Sequence, residues 1–383
     1  MAATLQTSVI QATGSTTPNL TLDASGNATV GNTLVMGSSF KRNRIINGDM
    51  RVDQRRAGGA LTPATNGDFL VDRFVFSGTQ ASKFFGGQNY NSVTPPAGFT
   101  SYAGLQCSTA YAVTASDFFG VIHRIEGLNT ADLAWGTSSA KPVTLSFQVY
   151  SSLTGTFGGS LQNSASNRSY PFSYSIPVAN TWTTINITIA GDTTGTWLAT
   201  NGIGIQVFLG IGVGSTYSGA AGSWAATSYL SCTGATSVVG TAFATFYITG
   251  VQLEVGSVAT PYERQIYSDQ LAQCQRYYAV SNNLSPKGAA SGSLAGLAAA
   301  NNSIGTFWQY PVQMRATPTI SIWQNGTQNR VRVTATGAVV TITTLTAASG
   351  GSYSTSSIIY DSGATPFTPG TSYDFDLIAT AEL

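Results

Sequence analysis

Residues 143–150 read VTLSFQVY. Apolar Val143, Leu145, Phe147 and Val149 alternate with Thr144, Ser146, Gln148 and Tyr150, and a period of two puts the two sets on opposite faces of a strand. Segments of the same kind recur at 72–76 (DRFVF), 183–189 (TTINITI), 202–209 (GIGIQVFL) and 243–253 (FATFYITGVQL). Each alternates or runs β-branched and aromatic, and each is bounded by Gly, Asn, Asp, Ser or Pro. Regular strands with no helical periodicity between them predict a sandwich or jelly roll over 41–264.

Composition agrees. Charged residues are 9% of the 383 positions, far below the ~25% of an ordinary soluble domain. Gly, Ser, Thr and Asn fill the gap, a mixture that suits short strands and tight turns and disfavours helices. Apolar residues at 42% and aromatics at 11% are enough for real cores, which argues against disorder. The length fits two or three domains. A formal net charge of +1 gives no broad attraction for nucleic acid or an anionic membrane. There is no apolar run of about 18 residues, so no membrane insertion is expected. The opening MAATLQTSVIQATG has no basic n-region or long apolar core, so no secretory signal is expected. Cys107, Cys232 and Cys274 are scattered and odd in number, which predicts buried reduced thiols rather than disulfides or a metal site.

Four further segments organise the chain. Residues 1–40 are expected to be an N-terminal attachment or stem segment. Within it, NLTLDASGNATVGNT (19–33) reads strand, turn, strand, and a hairpin this short needs a partner. Residues 41–56 hold Lys41, Arg42, Arg44, Arg51, Arg55 and Arg56, a basic cluster partly offset by Asp49 and Asp53. It reads either as a solvated segment packed along a neighbour or as a particle-docking surface, with Lys41, Arg42, Arg44, Arg55 and Arg56 as the docking candidates. Residues 265–285 are read as a helical linker. In PYERQIYSDQLAQCQRYY (261–278), Tyr267, Leu271, Cys274 and Tyr278 are spaced 4, 3, 4 like a heptad seam, with Ser268 as a possible cap. The seam serves either an amphipathic helix on its own domain or a threefold axis. Residues 286–383 read as a second β domain, a distal tip. The Gly- and Ala-rich run that leads into it reads as loop or close-packed trimer core.

Signs of chemistry are sparse. The single histidine, His123, lies in an alternating strand (VIHRI) without a nucleophile elbow nearby, and reads as structural. No GxSxG, HExxH or P-loop occurs, and GIGVG does not fit a nucleotide fingerprint. Asp374 and Asp376 share a strand face in YDFDL, but a paired-carboxylate hydrolase also needs a cleft, and none is signalled. The chain is therefore read as non-catalytic. Aromatic side chains among Asn, Gln, Ser and Thr are the better lead, because a sugar has an apolar face and a polar rim. Trp308, Trp323, Tyr353 and Tyr360 are the glycan-binding candidates; the competing assignment is core or trimer interface. Trp323-Gln-Asn-Gly326 reads as a strand end entering a turn.

Several segments resemble tail-fibre and related structural proteins of tailed bacteriophages. NLTLDASGNATVG (19–31) looks like the β repeats of fibre stems. NRIINGDM (43–50) with DRF (72–74), FYITGVQLEVGSVATPYERQIYSDQLAQCQRYY (246–278) and YPVQMRATPT (310–319) carry the rest of the likeness. Residues 124–197 resemble a jelly roll of carbohydrate-binding-module type. The resemblance implies an all-β fold: N-terminal β leader, jelly-roll sandwich, short linking helix and C-terminal β-sandwich domain, assembled as a homotrimer. It implies a virion protein assembled in a bacterial cytoplasm, bound to other virion proteins by its N-terminal segment. Its distal domain would recognise a host cell-surface glycan. A head-fibre, capsid-decoration or baseplate protein without a receptor role is the alternative, and a polysaccharide depolymerase a more remote one. No cofactor is expected. A jelly roll of this type can hold a structural calcium ion, for which the sequence offers no diagnostic acidic cluster.

Overall fold

The computed structural model describes residues 9–10, 20–22, 28–30, 41–281, 294–342, 345–347, 354–361 and 366–383. The chain divides into the units Met1–Arg42 and Asn43–Leu383. In the first, Val9–Ile10, Leu20–Leu22 and Ala28–Val30 form a three-stranded antiparallel sheet. The strand-turn-strand reading of 19–33 is the second and third of these strands.

The second unit begins with two antiparallel sheets of six strands each. In spatial order the first runs Thr183–Ile189, Val143–Ser151, Thr245–Val255, Ala103–Cys107, Phe84–Gln88, Leu61–Ala64. The second runs Ser169–Ile176, Gly155–Gln162, Ile203–Val213, Phe118–Glu126, Phe74–Gly78, Phe69–Val71. The alternation read at 143–150 decides the packing: Val143, Leu145, Phe147 and Val149 are buried in the shared core. Phe76, Phe84, Phe119, Phe157, Phe172 and Phe246 fill its middle. The glycine-rich GIGVG ends the strand Ile203–Val213 and leaves it at Gly214, and the register shifts between Gly210 and Gly212. All three cysteines are buried and unbridged.

One α-helix, Tyr267–Gln275, follows the sandwich. Ser268 lies inside it rather than capping it. The cap position is Ile266, which makes no side-chain hydrogen bond. The C-terminal β structure is organised around one strand, Ser372–Thr380. Its first half pairs with Leu294–Ala300 and Arg330–Val333, and its second half with Thr319–Gln324 and Tyr278–Val280. The Ala- and Gly-rich run is therefore a strand where it is described. Being central, Ser372–Thr380 is buried on both faces: Tyr373, Phe375 and Leu377 enter a separate apolar core with Trp308, Tyr310 and Met314.

Candidate functional site

Three of the segments that carry the resemblance, 43–50, 72–74 and 246–278, meet in one buried polar joint. Asn47 sits at φ 61°, a left-handed conformation that asparagine tolerates. There its side-chain amide donates to the Val52 and Asp72 carbonyls at 2.8 and 2.9 Å. Asn43 Nδ2 donates to the Val251 carbonyl at 3.0 Å, and Arg51 reaches Asp49 and Gln270 at 2.5 and 2.9 Å. This lashes the loop 43–56 to the last sandwich strand and to the helix.

The C-terminal strand end docks onto the same loop. Arg55 bonds Asp72 at 2.8 Å and Glu382 at 2.6 Å, and Arg73 takes the other Glu382 oxygen. The Arg55 guanidinium lies between the rings of Phe69 and Tyr278, and Arg73 lies 3.6 Å from the Tyr277 ring centroid. Glu126 receives Arg276 in a two-point pair at 2.6 and 3.0 Å, plus the Tyr277 hydroxyl at 2.7 Å. Burial pushes the Asp72 carboxyl up to about 6, with Arg55 opposing. Burial, reinforced by Arg73, holds His123 well below the usual imidazole range, so it stays neutral. The backbone N–H of Ile46 donates to its Nε2 at 3.4 Å.

Three of the five docking candidates are paired within the chain. Arg55 is buried in the joint, Arg44 pairs with Asp132 at 2.6 Å, and Arg56 bonds Asp68 and the Phe69 carbonyl. Lys41 is exposed and Arg42 half-buried. The heptad seam also breaks. Tyr267 is exposed, Leu271 half-buried and Cys274 buried, while Tyr278 lies beyond the helix in a strand paired with the C-terminal strand. Tyr278, stacked against Arg55, is drawn into that ladder, so the four residues form no single stripe.

The glycan candidates separate likewise. Trp308 is 8% exposed, edge-on to Tyr310 in the C-terminal core, and so presents no free face. Trp323 is half-buried against Tyr278, Val280 and Ile378, and its N–H donates to Ser321 Oγ at 2.9 Å. Tyr353 lies outside the described residues. Tyr360 stands opposite Ser303 in the strand Ser354–Asp361, and its side chain lies outside the described part. Asp374, half of the carboxylate pair, is clamped by Arg332 at 2.6 Å. Among the described residues no group of three His, Cys, Asp or Glu side chains gathers as ion ligands.

A better-formed site lies on the outer face of the first sheet. Ser146 stands opposite Asn186 and Gln148 opposite Thr184, on strands that contain no charged residue. Gln148 Nε2 donates to Thr184 Oγ1 at 2.8 Å, which fixes its amide, and Asn186 is exposed. At one end Tyr150 stacks on buried Tyr247 with centroids 5.3 Å apart and planes at 14°. Trp182 lies 5.5 Å from Tyr150 and 5.7 Å from Tyr102, and its N–H donates to the Thr94 carbonyl at 2.9 Å. Tyr150 and Trp182 are both half-exposed. The result is a fixed aromatic shelf beside an uncharged amide and hydroxyl ladder. The alternation in VTLSFQVY and TTINITI signalled this face. The aromatic residues among polar neighbours point instead to the C-terminal domain.

No family model matches the chain, and no curated protein matches it. Among solved structures, the enzymatically active domain of bacteriophage CBA120 tailspike protein 4 aligns at 11% identity and TM-score 0.27, over 56% of this chain and 22% of that one. A family 11 carbohydrate-binding module from Clostridium thermocellum, in complex with a mixed-linked tetrasaccharide, aligns at 12% identity and TM-score 0.26, over 53% of this chain and 99% of the module. A protein from Bacteroides thetaiotaomicron described as sugar-binding aligns at 10% identity and TM-score 0.30, over 56% of this chain and all of its own.

Proposed function

We propose that this chain is a non-catalytic, glycan-recognising structural protein of a bacteriophage particle, of tail-fibre type. One observation carries the glycan reading: an aromatic shelf, Tyr150 and Trp182, beside the uncharged ladder Ser146, Gln148, Thr184 and Asn186. The apolar face of a sugar ring stacks on an aromatic plane, and its hydroxyls exchange hydrogen bonds with amides and hydroxyls. Lack of charge on these strands favours a neutral glycan over nucleic acid, which needs cations. Assignment to a virion, attachment through the N-terminal segment and homotrimeric assembly are supported by the sequence resemblance. The short leader sheet, too small to be stable alone, fits a stem that gains a partner on assembly.

Glycan arrays and host envelope polysaccharide, probed with the full chain, test the reading. The expected result is binding that Asn186→Asp weakens while the circular dichroism spectrum is unchanged. An array with no bound glycan, or new reducing ends appearing in the polysaccharide, would overturn it. Imaging of the particle separates a tail position from a head or baseplate one.

A further inference from the structure

A second candidate contact lies apart from the sheet face, in the loops around Thr130–Trp135 and Trp197–Ala199. Trp135, Trp197 and Trp224 meet edge to face there, with centroids 4.7, 5.3 and 5.4 Å apart. Every indole N–H is held by the protein. Trp135 donates to the Lys141 carbonyl and Trp224 to the Ala190 carbonyl, both at 2.8 Å. Trp197 donates to Asp192 Oδ2 at 3.2 Å, and Arg168 clamps Asp192 at 2.6 and 2.8 Å. The rings are thus pinned before any ligand arrives, which lowers the ordering cost of binding.

Beside them opens a notch of about 60 Å³, lined mainly by Ala131, Leu133, Trp135, Trp197, Ala199 and Ile205. Its one polar side chain, Thr130, is already bonded to the Gly127 carbonyl at 3.1 Å. Whole small-molecule ligands occupy pockets of roughly 300–1,000 Å³, so a sugar ring does not fit. Leu133, Trp135, Trp197 and Ile205 give the notch an apolar wall of a size that a methyl group packs against, and polar atoms line the rest. At the rim Ala131, Leu198 and Ala199 are exposed, so the substituent's parent molecule can remain outside.

We infer that this notch takes the methyl end of a sugar substituent, either an acetyl group or the C6 methyl of a 6-deoxy sugar. The kind of parent molecule rests on the glycan reading above; the methyl group rests on the notch itself. Saturation-transfer NMR on the full chain tests it, with N-acetylglucosamine, rhamnose and glucose as separate probes. The expected result is saturation concentrated on the methyl protons of one or both substituted sugars, and none for glucose. The two substituted arms tell acetyl from deoxy. Ala199→Leu and, independently, Ala131→Leu fill the notch from exposed positions and should weaken that binding about tenfold or more, with the melting temperature unchanged. Uniform saturation over ring and methyl protons, or binding that neither filling variant alters, would overturn the inference. Tyr150→Ala should leave the methyl contact intact. Methyl contact with a silent array sinks the sheet-face reading alone, and array binding without methyl contact sinks this one alone.

Discussion

Glu382→Ala is the sharpest perturbation of the joint between sandwich and C-terminal sheet. The carboxylate neutralises two guanidinium groups, Arg55 at 9% and Arg73 at 3% side-chain exposure, and is itself 14% exposed. Arg55 keeps Asp72 after the change. Arg73 keeps only the Arg124 carbonyl at 2.7 Å and the Tyr277 ring. One buried cation is then left without an anion, a loss worth about 3–5 kcal/mol. At roughly 2.1 cal/mol/K per residue, cooperative unfolding of residues 43–383 carries an entropy near 0.7 kcal/mol/K. The melting temperature should therefore fall by about 4–7 °C in differential scanning calorimetry at pH 7.5. The double variant Arg73→Met with Glu382→Leu removes both charges and should recover most of the loss, because an apolar pair of similar volume replaces a buried ion pair at little cost. A single variant that melts within a degree of wild type would show that the pair is solvated and the joint is not what holds the C-terminal sheet.

Two other expectations concern the same region. His123 is held neutral in the native state, while the unfolded imidazole takes up its proton near the ordinary histidine value of 6.5. Below that pH the unfolded state binds more protons, so this group's contribution falls by up to about 1.4 kcal/mol per pH unit. Asp72, raised to about 6 against an ordinary carboxyl value of 3.8, acts in the opposite sense, stabilising the native state as pH falls through that window. Urea titrations at pH 7.5, 6 and 5 should thus show wild type losing ground against His123→Gln as the medium is acidified, and parallel curves would refute the assignment. Gly48→Ala would drive a Cβ into the Val251 carbonyl oxygen and should cost about 3 kcal/mol. Chemical denaturation reads this directly, and an unchanged midpoint would mean that the loop 43–56 is not seated on the last sandwich strand.

The sandwich was legible because its strands alternate. Val143 to Tyr150 announced both faces, and the inward set is the set that packs. The two leader strands in 19–33 were readable from alternation at Leu20 and Leu22 and from the turn residues after them. The joint was not, because most of its pairs join distant parts of the chain, Arg55 with Glu382 being 327 residues apart. A cluster of arginines looks the same in a sequence whether it faces solvent or a buried acid. The seam misled for a related reason: its spacing is helical, but Tyr278 is claimed by the strand ending at Thr380, a tertiary pairing that overrides local period. Trp308 misled because a tryptophan among polar neighbours reads alike on a surface and in a core. Of the binding face, the alternation placed Gln148 and Tyr150 outward. That Trp182 would lie against Tyr150 depends on where the strands begin and end, which the pattern does not fix.

Isothermal titration calorimetry of the full chain with a glycan selected on the array compares wild type with Tyr150→Ala and Trp323→Ala. Loss of a stacking surface is worth about 0.5–1.5 kcal/mol, so Tyr150→Ala should weaken binding roughly two- to twelvefold, while Trp323→Ala leaves it unchanged. Binding that survives Tyr150→Ala at full strength and is lost in Trp323→Ala would place the ligand on the C-terminal sheet and contradict the sheet-face assignment.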